Sequence, residues 1–192
     1  KEGYVSVSAS DVRIAGASQV ALILDSSGSM RSKTMGGTRR IDAAKKVMLS
    51  VIDRLPATVR VGLRAYGHRY ASKPKRKSCR DSQLLVPFGP LNRTAMKLAV
   101  TRLKPRGQTP IGYSLAQLER DFAGKPGPKL VLLVSDGIES CDGRIEDVAL
   151  NDGQPIRGRR QLVRCARQCA HGVATGQCLL QNLAARAARC PE

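Results

Sequence analysis

The apolar run Val20-Ala21-Leu22-Ile23-Leu24, followed at once by Asp25-Ser26-Ser27-Gly28-Ser29, constrains this chain more than any other stretch. Its residues lack the alternation of a half-exposed strand and are too few to cross a bilayer. They suit a strand buried on both faces, as in a parallel sheet flanked by helices. The polar cluster then falls at the strand's carboxyl end, the edge of open α/β sheets where ligands bind. Asp25, Ser27 and Ser29 sit at i, i+2 and i+4, and Gly28 lets the loop bend tightly. One carboxylate and two hydroxyls converging on a point form the oxygen donor set that a hard cation such as Mg²⁺ requires.

Two further stretches share this design. Lys129-Leu130-Val131-Leu132-Leu133-Val134-Ser135-Asp136-Gly137 is again a buried run ending in a carboxylate. Gly107-Gln108-Thr109-Pro110-Ile111-Gly112 places a hydroxyl just before a proline, and Thr109 at the N-cap with Pro110 at N1 reads as a helix start. Together, Asp25-x-Ser27-x-Ser29, Thr109 and Asp136 resemble the metal-ion-dependent adhesion site of the von Willebrand factor type A family. The resemblance covers about residues 18–142, with residues 1–17 as a lead-in and 143–192 as an atypical basic tail.

The resemblance implies a Rossmann-like fold and a bound Mg²⁺, with Mn²⁺ or Ca²⁺ as alternatives. Asp25, Ser27, Ser29, Thr109 and Asp136 would hold the ion, some directly and others through water, with Thr109 joining when a partner is bound. The position left over would take an Asp or Glu oxygen of a partner protein. The implied role is adhesion or assembly, not catalysis. Similar cysteines recur in exported bacterial proteins that carry this domain, which implies a Cys79–Cys141 bridge and a periplasmic or secreted location, a cytoplasmic one staying open. A purely local reading stands beside this one, in which Asp25 forms an Asx-turn and the serines satisfy nearby backbone donors.

Taken in order, the chain alternates strands and helices. A helix over residues 39–55 carries Ile41, Ala44, Met48, Val51, Ile52 and Leu55 at helical spacing and stops at Pro56. Residues 59–66 alternate apolar and polar, which predicts a strand with one wet face toward a sheet edge. Residues 67–82 read as a solvated basic loop. Leu84–Phe88 is a short strand that Pro87 confines to an edge. Asn92 caps a helix bearing Met96, Ala99, Val100 and Leu103, and Ile111, Leu115, Leu118 and Phe122 form the buried face of the next. The pattern predicts an α/β fold, a doubly wound, mostly parallel sheet flanked by helices. No β-branched run follows residue 142. The tail reads as helices at 160–170 and 179–188, and it either completes the sheet irregularly or is foreign to the fold.

The formal charge of +18 keeps a second class open, a polyanion-binding surface on residues 73–80 and the basic tail. Tyr70, at the start of the basic loop 69–80, is its lone aromatic residue, and no nucleic-acid-binding motif appears, so specific nucleic-acid recognition is not expected. A Mg²⁺-dependent phosphoester hydrolase built on Asp25 and Asp136 is the third reading. The sequence offers it no second Asp two residues after Asp25 and no phosphate-cradling Gly-rich loop with a Lys. A soft-metal site of His68 with Cys79 and Cys141 is weaker than a structural role for that histidine. No stretch reaches the length of a membrane span. Lys1 opens the chain without a signal-peptide pattern, which fits a mature or excised segment.

Overall fold

A computed structural model of the chain describes residues 17–143 and a strand at 162–167. Five strands form one mixed sheet: β1 (Gln19–Asp25), β2 (Arg60–Tyr66), β3 (Ser82–Pro90), β4 (Lys129–Ser135) and β5 (Leu162–Arg167), in the order β3-β2-β1-β4-β5. β1 pairs in parallel with β2 and β4, β5 pairs in parallel with β4, and β3 runs antiparallel on β2. All seven residues of β1 are buried, as an unbroken apolar run in a central strand requires.

The two faces of β1 feed two cores. Val20, Leu22 and Leu24 pack with the buried stripe of α1 (Arg40–Arg54) and with Met96 and Val100 of α3 (Arg93–Arg102). Ala21 and Ile23 face the other way, onto Ile111, Leu115, Leu118 and Phe122 of α4 (Ile111–Phe122). Helices on both faces make the sheet doubly wound. From β1 the chain passes first to β2 and β3 and then returns to β4 on the opposite side of β1. The β1–β4 boundary is therefore the point where the strand order reverses, and its carboxyl end is where such sheets form a crevice.

Three expectations are corrected. β2 has no wet face, since Val61 to Tyr66 are all buried. Its polar positions are covered instead: Gly62 lies under the Phe88 ring, and Arg64 makes a two-pronged ion pair with Asp121 of α4, at 2.8 and 2.9 Å. Residues 67–82 are not a plain solvated loop either. They contain a short helix, α2 (Lys75–Ser78), and are fastened by buried Ser78 and Asp81 and by a disulfide from Cys79 to Cys141. That bridge rules out the soft-metal reading, and His68 Nε2 sits 3.1 Å from Gln83 Oε1. Burial holds the His68 imidazole below its usual pKa, with Arg69 adding to the effect and Asp81 and Gln83 opposing it.

The third correction concerns 160–170, where a helix was expected and β5 lies. β3 takes the opposite edge that Pro87 requires, with register shifts along its pairing to β2. Residues 1–16 of the lead-in and the helix expected at 179–188 lie outside the described residues. Among the described residues no helix is long and apolar enough to cross a membrane.

Candidate functional site

The loop after β1 is clamped by backbone on two sides. Ser26 N donates to Tyr66 O at the end of β2 (2.9 Å), and Gly28 N donates to Gly107 O (2.7 Å). Arg106 N donates to Ser26 O at 3.0 Å, so residues 106–107 lie directly against the loop. Gly67 makes this approach feasible. Its φ is +69°, and a side chain there would place Cβ 2.8 Å from Ser27 Cα and 2.7 Å from Gln108 O.

On this frame the side chains form a hydrogen-bonded chain. Asp25 Oδ1 accepts from Ser27 N at 2.7 Å, which is the Asx-turn of the local reading. Its other oxygen is used across the sheet, where Asp25 Oδ2 accepts from Ser135 Oγ at 2.6 Å and Ser135 Oγ in turn accepts from Tyr66 OH at 3.2 Å. Ser27 Oγ and Ser29 Oγ lie 3.0 Å apart, and Ser29 Oγ donates to Asp136 Oδ1 at 3.0 Å. Arg40 Nη1, from the first turn of α1, donates to Asp136 Oδ2 at 2.8 Å.

Asp25, Ser27, Ser29 and Asp136 are thus brought together. Thr109 stands beside them without a hydrogen bond from its hydroxyl to the other four. Its Oγ1 and Ser29 Oγ are each 3.7 Å from the point where a Gly137 side chain would begin, so a bare glycine keeps the space between them open. Thr109 is buried and is held through its backbone, its N–H donating to Ser140 Oγ at 2.8 Å and its carbonyl accepting from Ser140 N and Ile111 N.

Electrostatically the two carboxylates differ. Asp136 has a guanidinium on one oxygen. Asp25 is fully buried and has no ion-pair partner among the described residues. Burial pushes its carboxyl above the ordinary carboxylate range, against hydrogen bonds from Ser135 and Ser27 that favour the ionised form, and the nearby Asp136 adds repulsion. The donor set is all oxygen: two carboxylates and three hydroxyls. No group of three or more His, Cys, Asp or Glu side chains is placed to hold a metal among the described residues, so a cation here would depend on the hydroxyls. Such a set suits a small hard ion and fits Mg²⁺.

Sequence reasoning missed Ser135, Arg40 and Glu139. Ser135 had a faint signal, a polar residue closing a buried run just before Asp136. Arg40 is one basic residue among many. Glu139, whose carboxylate accepts from Gly112 N and Cys141 N at 2.7 Å each, gave none.

Residues 20–139 match the model of the von Willebrand factor type A domain. Two uncharacterised proteins of Bacillus subtilis (strain 168), YwmD and YwmC, are 37% and 30% identical over 128 residues. Each alignment spans 65% of this chain but only 57% and 56% of those relatives. A von Willebrand factor type A protein from Catenulispora acidiphila superposes with a TM-score of 0.58 at 21% identity, over 79% of this chain and 33% of that one. The corresponding domain of the type V pili tip protein Mfa5 from Porphyromonas gingivalis gives 0.51 at 18%, over 65% and 39%. At such identities the structural likeness speaks for the fold alone, and it agrees with the sheet and helices described above. The chain belongs to the von Willebrand factor type A domain family.

Proposed function

We propose that the cluster at the carboxyl end of β1 and β4 holds Mg²⁺, and that the domain is a metal-dependent protein-binding module for adhesion or assembly. The observation that carries this reading is Asp25, a buried carboxylate without an ion pair among the described residues, at one end of a hydroxyl chain leading to a second carboxylate. A buried charge left uncompensated is costly, and a cation among these oxygens would remove that cost. Asp25 and Asp136 supply the negative charge, Ser27 and Ser29 supply neutral oxygens, and Thr109 is the hydroxyl held in reserve. Ser135, backed by Tyr66, fixes the Asp25 carboxylate, and Arg40 occupies one oxygen of Asp136. When bound, Mg²⁺ supplies a coordination position that an Asp or Glu oxygen of a partner protein completes.

A non-catalytic role agrees with the residues present. The position two after Asp25, where phosphoryl transfer would use an acid/base carboxylate, is Ser27, bonded to Ser29. Structural relatives include the tip protein of a type V pilus and the pilus adhesin SpaC of Lactobacillus rhamnosus GG. Together with the Cys79–Cys141 bridge, which needs an oxidising compartment, they support an exported, surface-associated location. The test is calorimetric titration of Mg²⁺ into EDTA-stripped protein, with Asp25→Ala alongside. One-site binding lost in the variant is expected. Equal binding in both proteins, or none in folded wild type, would overturn the assignment.

A further inference from the structure

Beside the cluster lies a concavity of about 440 Å³ lined by Arg69, Tyr70, Pro74, Arg76, Lys77 and Arg80. The residues from 69 to 80 carry six Lys and Arg and no acid. Arg69 is paired with Asp81 and Lys75 with Asp142, whereas Lys73, Arg76, Lys77 and Arg80 have no ion-pair partner among the described residues. The concavity is joined to the metal face through one segment. Ser78 Oγ accepts from Gln108 N at 2.8 Å, next to Thr109, and Arg106 Nη1 donates to Arg69 O at 3.2 Å. The Cys79–Cys141 bridge fastens the same loop to the residues that follow Asp136.

The geometry points to this concavity as the docking site for an acidic peptide segment of the partner, next to the carboxylate that reaches the metal. The link to the metal rests on the function proposed above; the basic site itself does not. Three observations favour a peptide over nucleic acid. Lys77 Nζ at 4.3 Å and Arg69 Cζ at 5.3 Å from the Tyr70 ring centroid already occupy this ring, so a stacking base would have to displace them. The cations bound a pocket sized for a few side chains, not a track along a phosphate backbone. Ile138, two residues after Asp136, is 74% exposed and gives the same edge an apolar contact suited to a polypeptide. Arg76 and Arg80, exposed and unpaired among the described residues, border this open concavity, and a guanidinium matches a carboxylate with two parallel hydrogen bonds.

The experiment is fluorescence anisotropy with a labelled oligoglutamate peptide, with Mg²⁺ and with EDTA. The proteins are wild type, Asp25→Ala, the triple variant Arg76→Ala/Lys77→Ala/Arg80→Ala, and a charge control, Lys46→Ala/Arg54→Ala/Arg102→Ala. All six substituted cations are exposed, and circular dichroism verifies that each protein is folded. The pocket variant is expected to lose affinity by about tenfold or more in both conditions, the charge control by less than about twofold. Asp25→Ala should fall only to the level that EDTA gives wild type. If EDTA and Asp25→Ala change nothing while the pocket variant still loses binding, the basic site stands and the metal reading falls. Unchanged binding in the pocket variant, equal loss in the charge control, or no binding by wild type would each overturn the proposal.

Discussion

At Asp136 a guanidinium and a divalent cation would compete for one carboxylate. Arg40 holds Oδ2 at 2.8 Å while Ser29 holds Oδ1 at 3.0 Å, so the side chain is fully engaged without metal. A positive charge so close also repels an incoming cation in a partly buried setting, where screening is weak. Arg40→Gln is therefore expected to tighten Mg²⁺ binding by about tenfold, close to 1.4 kcal/mol. Titration of Mg²⁺ into the variant checks this, and weaker or unchanged affinity would show that Arg40 supports the site by orienting Asp136. All five residues singled out in the sequence lie at the same sheet end. The side chains that touch these carboxylates were not legible, because Arg40 and Ser135 reach them across about a hundred residues that no local pattern encodes.

At the scale of an element, the start of α4 shows how the site is kept assembled. The Thr109-Pro110 pair predicts a hydroxyl cap, but the helix begins at Ile111 with Pro110 in the cap position and no side-chain cap of its own. Glu139, from the loop after β4, accepts from Gly112 N instead, and a carboxylate at a helix N-terminus is favoured by the exposed N–H groups and the dipole. The capping work is thereby moved off Thr109, whose hydroxyl is left beside Ser29 and Gly137. Glu139→Ala should cost about 1–2 kcal/mol in urea unfolding and weaken Mg²⁺ binding as well, since the same carboxylate orders Cys141 N. A change in neither quantity would mean that the loop holds itself. Sequence spacing predicted the helix and its buried face correctly. The cap was missed because its partner is 27 residues away.

Over the whole molecule, the fold class was legible because periodicity is a property of whole segments. β1 and β4 are unbroken apolar runs, and α1, α3 and α4 keep helical stripes. β2 and the strand at 162–167 differ from the local pattern because tertiary pairing overrides it. Arg64 is buried in β2 because Asp121 is there to meet it, and Leu162–Arg167 pairs in parallel with β4 although the tail has no β-branched run to announce a strand. The Cys79–Cys141 bridge adds a restraint on the same sheet end. It closes a span of 62 residues and on chain-entropy grounds contributes about 4 kcal/mol.

The proposed role of the domain depends on where the cation sits. An anomalous difference map from crystals soaked in Mn²⁺ tests it most directly. One dominant peak is expected among Ser27 Oγ, Ser29 Oγ and the Asp136 carboxylate, with Asp25 and Thr109 within reach directly or through water and direct ligand distances of about 2.0–2.2 Å. No peak there, or a peak only at an exposed carboxylate such as Asp142, would contradict it.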